Sequence, residues 1–216
     1  PDPGDLLLRD GSNLASVLEQ LSLHSKKTKK KIEEYLSKVV PGVYGVDRRP
    51  LGPKETLEFR QTVAGAKVPW RFSAANMSDG TLRALGILAA LFQGSNGTKV
   101  PLVAIEEPEV ALHPAAAGVL LDSLRDASQS TQLLVTSHSP DLLDDEDINP
   151  DWVLAVTAQS GATQIGPLDE SGRTALRDKL YTPGELLRMN QLSPEPSSGS
   201  LREQSQARLF DVEESD

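Results

Sequence analysis

Cysteine is absent from the 216 residues, which excludes disulfides and thiolate metal sites. Long hydrophobic runs are absent too. The longest reach about ten residues, about half of what a membrane-spanning helix needs. An excess of positive charge is lacking: the formal net charge is −9. That argues against a uniformly basic nucleic-acid surface and leaves only a local patch open. No secretory signal is visible, and the chain opens at Pro1 rather than methionine. It is therefore read as a cytoplasmic protein, or a piece of one. Its length suits one large domain or one and a half small ones, enough for a proper core.

Apolar spacing divides what remains. Leu14, Val17, Leu18 and Leu21 predict a helix over residues 13–23, with Ser12 or Asn13 as its cap. A lysine-rich helix over 25–40 follows and ends at Pro41 and Gly42. Three strand-like runs come next, at Val43–Arg48, Thr56–Ala64 and Val68–Ser73, the last two joined near Gly65. Thr81–Phe92 reads as a helix, Leu102–Ile105 as a buried strand, Pro114–Ala127 as a helix and Gln132–Thr136 as a second buried strand. Strand, helix, strand in this order implies a parallel sheet. Residues 152–158 and 163–165 predict a hairpin turning at Ser160 and Gly161, and residues 173–190 a helix. The Ser-, Pro-, Glu- and Gln-rich end reads as a solvated tail.

Chemistry concentrates at three turns. Leu102-Val103-Ala104-Ile105 runs straight into Glu106-Glu107-Pro108-Glu109. The carboxyl edge of a parallel strand is where open α/β sheets bind ligands. Two adjacent carboxylates buried there call for a cation or hydrogen bonds to compensate, and Mg²⁺ suits hard oxygen ligands. One acid then faces the metal and the other polarises a water. The alternative is that both simply begin a solvent-exposed loop. Glu109 is expected at the surface. Ser78-Asp79-Gly80-Thr81 opens a helix, where free N–H groups favour an anion, although an ordinary helix cap has the same sequence. His138 follows the second strand and lies on the same sheet edge as Glu107. A transition-metal site joining His113 and His138 to the glutamates is the weaker alternative.

Taken in order, these pieces resemble the second half of an ABC-type ATPase of the RecF/SMC-like group, which includes OLD-type proteins. Met77–Thr81 looks like the signature, Leu102–Glu107 like Walker B with its catalytic glutamate, Ala111–Pro114 like the D-loop and His138 like the switch histidine. The motif core covers residues 76–143, and the likeness extends over roughly 10–190. The resemblance implies an α/β fold, an ABC-ATPase-like C-terminal lobe without its P-loop lobe. It implies domains at 1–75 and 76–190 and a polar tail at 191–216. It implies ATP and Mg²⁺ as cofactors, with Glu106 toward the metal, Glu107 and His138 catalytic, and Ser78, Gly80, Thr81 and His113 toward nucleotide. It also implies a homodimer closed around two ATPs. The process served, DNA repair or phage defence, stays open.

Several residues depart from the pattern. No Gly-x-x-x-x-Gly-Lys-Ser/Thr loop occurs, and Gly94–Lys99 has the wrong spacing and reads as a surface loop. Without the phosphate-cradling lysine the chain alone is expected to bind ATP poorly. The simplest expectation is a missing lobe before Pro1. Asp79 stands where the Ser-Gly-Gly-Gln signature has glycine, Glu106 where ABC transporters usually have aspartate, and His113 where aspartate is common in the D-loop. The run Lys26, Lys27, Lys29, Lys30, Lys31 suggests DNA contact or, more commonly, a solvated helix face. Two rivals are carried: a degenerate, non-hydrolysing interaction module, and an OLD-type nuclease, for which too few residues follow His138.

Overall fold

The computed structural model describes residues 3–94, 100–159 and 161–196. The loop reading of residues 95–99, the turn residue Ser160 and the tail beyond residue 196 lie outside these. The chain divides into two compact units, Pro1–His138 and Ser139–Asp216, and residue 76 falls inside the first. No described helix is long and apolar enough to cross a membrane.

In the first unit, α1 (Leu14–His24) buries Leu14, Val17, Leu18 and Leu21, the stripe its spacing predicts. Asn13 occupies its N-cap position, but its side chain makes no cap hydrogen bond. The Asn13 amide ties down the preceding loop instead, accepting from the Leu8 N–H and donating to the Leu6 carbonyl, both at 2.8 Å. Helix α2 (Lys26–Val39) buries Ile32 and Leu36. Most of its lysines are on a solvated face, with Lys26, Lys27 and Lys30 exposed, and Lys29 is the buried exception. Lys29 is buried between Glu33 and Asp47, Lys30 pairs with Glu34, and Lys31 reaches Asp126. Tyr35 stacks on Phe92 and also meets Asp126, whose charge adds to burial in pushing the phenol up to about 12.

Strands β1 (Val43–Leu51), β2 (Lys54–Gln61) and β3 (Trp70–Ser73) form an antiparallel sheet in that order. Val43, Val46, Leu57 and Phe59 join the core formed with α1, α2 and α3 (Asp79–Phe92). Under α1, Glu55 accepts from Ser16 and Arg48. Burial by itself would raise its carboxyl, but these two donors hold it below the usual range.

Strand β4 (Leu102–Glu106), a 3₁₀ turn (Pro114–Ala116), α4 (Ala117–Ser128) and β5 (Gln132–Thr136) make the expected crossover, with β4 and β5 parallel. The expected two-sided burial is not found. Val103 is buried, but Leu102 and Leu134 are 50% and 53% exposed. A single crossover helix covers one face of a two-stranded sheet, so alternate residues stay open. An open cleft of about 1090 Å³ runs along that side, with Leu82, Ile87, Ala104 and Leu134 in its wall and Arg83 and Glu106 among its polar groups.

The second unit holds a 3₁₀ turn (Pro150–Trp152), a hairpin of β6 (Leu154–Gln159) and β7 (Ala162–Pro167), then α5 (Glu170–Arg177) and α6 (Pro183–Arg188). The single helix expected over 173–190 is two. Lys179, at a φ of 52°, interrupts it, and Thr182 and Glu185 start the second piece with a capping box. Thr182 also donates to Asp144, which Arg188 meets at 3.0 Å. The hydroxyl bond first, and then the guanidinium, hold that carboxyl below its usual range. Ser193 and Glu195, expected in the tail, hydrogen-bond with Asp169 and Pro167.

Candidate functional site

The sheet sets the site's geometry. Register places Glu106 beside Thr136 at the last pair of β4 and β5. Glu106 is exposed, as are Leu102 and Ala104, its neighbours in the alternation of β4. Glu107 leaves the strand at a φ of 45°, and its N–H donates to the Thr136 carbonyl at 2.9 Å. A left-handed backbone at a non-glycine residue costs about 1–3 kcal/mol and persists only where surroundings enforce it. Three such constraints are present. Pro108 next to it is fully buried, the Val110 N–H donates to the Glu107 carbonyl at 3.1 Å, and Arg83 of α3 donates to the same carbonyl at 2.8 Å. Arg83 also meets the Glu106 carbonyl at 3.3 Å.

That turn carries the Glu107 carboxylate to His138, with Oε1 and Nδ1 2.9 Å apart. A carboxylate only accepts, so Nδ1 donates and Nε2 is left to face outward chemistry. The His138 side chain is 75% exposed and that of Glu107 40%. The pair is therefore open to water and to a ligand.

Of the other sequence-marked residues, Ser78, Gly80 and Thr81 form the start of α3, and His113 stands apart at a 3₁₀ turn. Ser78 is the N-cap: its Oγ accepts from the Thr81 N–H at 3.2 Å and lies 2.9 Å from the buried Thr81 hydroxyl. Gly80 abuts the Ala111 carbonyl, so closely that a Cβ would collide with it. Its lack of a side chain makes room for a loop of its own chain. His113 Nδ1 accepts from the Ala115 N–H at 3.2 Å and caps the 3₁₀ turn. Thus α3 touches the 106–111 segment at both Gly80 and Arg83. No hydrogen bond links Ser78, Thr81 or His113 to the Glu107–His138 pair among the described residues.

Two contributors escaped the sequence reading. Arg83 sits on a helix read for its apolar face. Glu109, expected at the surface, is half-buried, and its Oε1 accepts from Ser137 Oγ at 2.6 Å. Glu109 had one sequence signal, its place in the acidic turn after β4, whereas Arg83 lies 24 positions before Glu107 and had none. Among the described residues no three His, Asp or Glu side chains converge as a metal cage. The donor set at the strand end, one exposed carboxylate beside a threonine, fits a cation such as Mg²⁺ that takes most ligands from water and phosphate.

No curated protein matches the chain. Among solved structures, the chain is similar to an SMC ATPase studied for ATP-driven dimerization and DNA-stimulated activation, at 16% identity and a TM-score of 0.49, over 72% of this chain and 91% of that one. It is also similar to the Smc head domain with coiled coil and joint from Pyrococcus yayanosii, at 18% identity and 0.48, over 72% of this chain and 29% of that one. The SMC head domain of Thermotoga maritima gives 16% and 0.44, over 72% and 52%. A family model described as an AAA domain, putative AbiEii toxin of a Type IV TA system, matches residues 13–144, a span that contains β4, β5, Glu107 and His138. More than half of the sequence lies in that match, and the chain belongs to this AAA-domain family.

Proposed function

We propose that the chain supplies the carboxylate-and-histidine half of an ATP-hydrolysing site. The observation that carries this is the Glu107–His138 pair, held at 2.9 Å at the ends of adjacent parallel strands. Glu107 orients the attacking water and draws its proton. His138, fixed through Nδ1, presents Nε2 toward the terminal phosphate or that water. Glu106 would hold Mg²⁺, which when bound would neutralise charge building on the phosphate oxygens. Chemistry of this kind is mostly positioning and charge stabilisation.

A phosphate-cradling loop is supplied outside this chain, in a lobe that covers the open apolar face of β4 and β5. The half-exposed Leu102 and Leu134 support that reading. Two such sites close in a homodimer, with Ser78, Gly80, Thr81 and His113 approaching the nucleotide of the opposite subunit. Residues 76–190 are the lobe that carries this machinery. The isolated chain binds ATP weakly. For the biological role, the family description favours a toxin–antitoxin setting over DNA repair.

One observation favours a second reading. Ser78, Thr81 and His113 all have hydrogen bonds within their own caps. Polar groups so engaged suit a non-hydrolysing interaction module. Turnover of Mg·ATP by the full-length protein separates the two. The hydrolytic reading expects Glu107→Gln to bind ATP as before and to lose turnover about a hundredfold or more, the range of general-base loss. Undiminished turnover in Glu107→Gln overturns it.

A further inference from the structure

Two side-chain rungs join the turn after β4 to the exit of β5. One is Glu107–His138. Directly behind it, Ser137 Oγ donates to Glu109 Oε1 at 2.6 Å, a short, charge-assisted bond. The two rungs come from adjoining residues: Glu107 and Glu109 flank the buried Pro108, and Ser137 and His138 are neighbours.

The front rung is weak by nature. An exposed carboxylate–imidazole pair is screened by water and contributes little holding force. Nothing in it fixes how far apart the two backbones stand. The rear rung is better protected. Glu109 is half-buried, and its Oε2 is out of contact with solvent and takes no hydrogen bond from the described residues. A carboxylate so placed is poor value for stability alone, since an apolar replacement of like size is often neutral. Its use is geometric.

We propose that Glu109 is a positioning residue: through Ser137 it holds the backbone of His138 at the distance where the ring meets Glu107. The proposal rests on the hydrolytic reading above. It differs from that reading in its consequences. Glu109 touches no reacting atom, so its loss misplaces His138 without removing any chemical group.

Two measurements test it. In the 216-residue chain, the ring resonances of His138 are followed by NMR. Glu109→Ala and Ser137→Ala are expected to move them toward their positions in Glu107→Ala, while Ser137→Thr, which keeps the hydroxyl, leaves them in place. An unmoved ring in both alanine variants overturns the proposal. In the full-length protein, Glu109→Ala and Ser137→Ala are each expected to lower kcat for Mg·ATP about tenfold with KM within about twofold, and the double variant to fall no further than the worse single. Glu109→Gln keeps an acceptor oxygen and the side-chain volume, and serves if the alanine variant does not fold; it is expected to retain turnover. Losses that simply add, or that follow the melting temperature, mean a structural role only and overturn the assignment. Unchanged kcat in Glu109→Ala beside a dead Glu107→Gln overturns the positioning role and spares the hydrolytic reading. Persistent turnover in Glu107→Gln, or none in the wild type, overturns both.

Discussion

The guanidinium of Arg83 donates to the carbonyl oxygen of Glu107 at 2.8 Å. One residue of α3 thereby fixes the backbone of the acid that meets His138, from a helix whose first turn is capped by Ser78. The helix start and the acidic turn form one mechanical piece.

Removing that contact is expected to loosen the left-handed turn without unfolding the domain, because Arg83 is exposed. Arg83→Ala should lower kcat of the full-length protein about tenfold, roughly 1.4 kcal/mol of positioning. KM and the unfolding midpoint should change little. Steady-state kinetics and a urea titration check this.

Gly80 and Gly86 lie on the same helix and predict opposite outcomes. A Cβ at Gly80 collides with the Ala111 carbonyl, whereas one at Gly86 meets nothing within 4 Å. Gly80→Ala should destabilise by about 1–3 kcal/mol, as overpacking does. Gly86→Ala should stabilise by about 0.5–1 kcal/mol through helix propensity. Urea unfolding of both variants measures the contrast.

Glu55 sets an acid-sensitive joint between α1 and β2. Its carboxyl is depressed in the folded chain below the reference value of 4.5, so the unfolded chain binds the proton more readily there. That stability is present above pH 4.5 and drains away as pH falls through the lower folded value. Glu55→Gln should be less stable at neutral pH and should lose less on acidification. Unfolding free energies measured from pH 7 down to 3 test this.

Periodic elements were the legible part. The apolar stripe of α1, the β4–α4–β5 crossover and the acids at the end of β4 follow from local spacing, and each lies where spacing predicts. Burial of β4 and β5 did not follow. A continuous apolar run such as Leu102–Ile105 says that a strand prefers cover, not that cover is present. The break at Lys179 was legible too and was passed over: Pro183 at the first turn of α6, between Thr182 and Glu185, is a helix-start signal inside the stretch read as one helix. Arg83, Glu109 and the internal use of Gly80 were hidden. Each gains its meaning from a partner 24 to 31 positions away along the chain, and a single sequence carries no signal for pairings at that range.

The half-exposed leucines of β4 and β5 bear on handling as well as on assembly. Each strand of this pair leaves one edge unpaired among the described residues. Unpaired edges beside apolar side chains are a template for joining further strands. Preparations of the chain by itself should scatter more light as concentration rises, and a surface charge placed at Leu134 should suppress the clumping while leaving the Glu107–His138 pair intact.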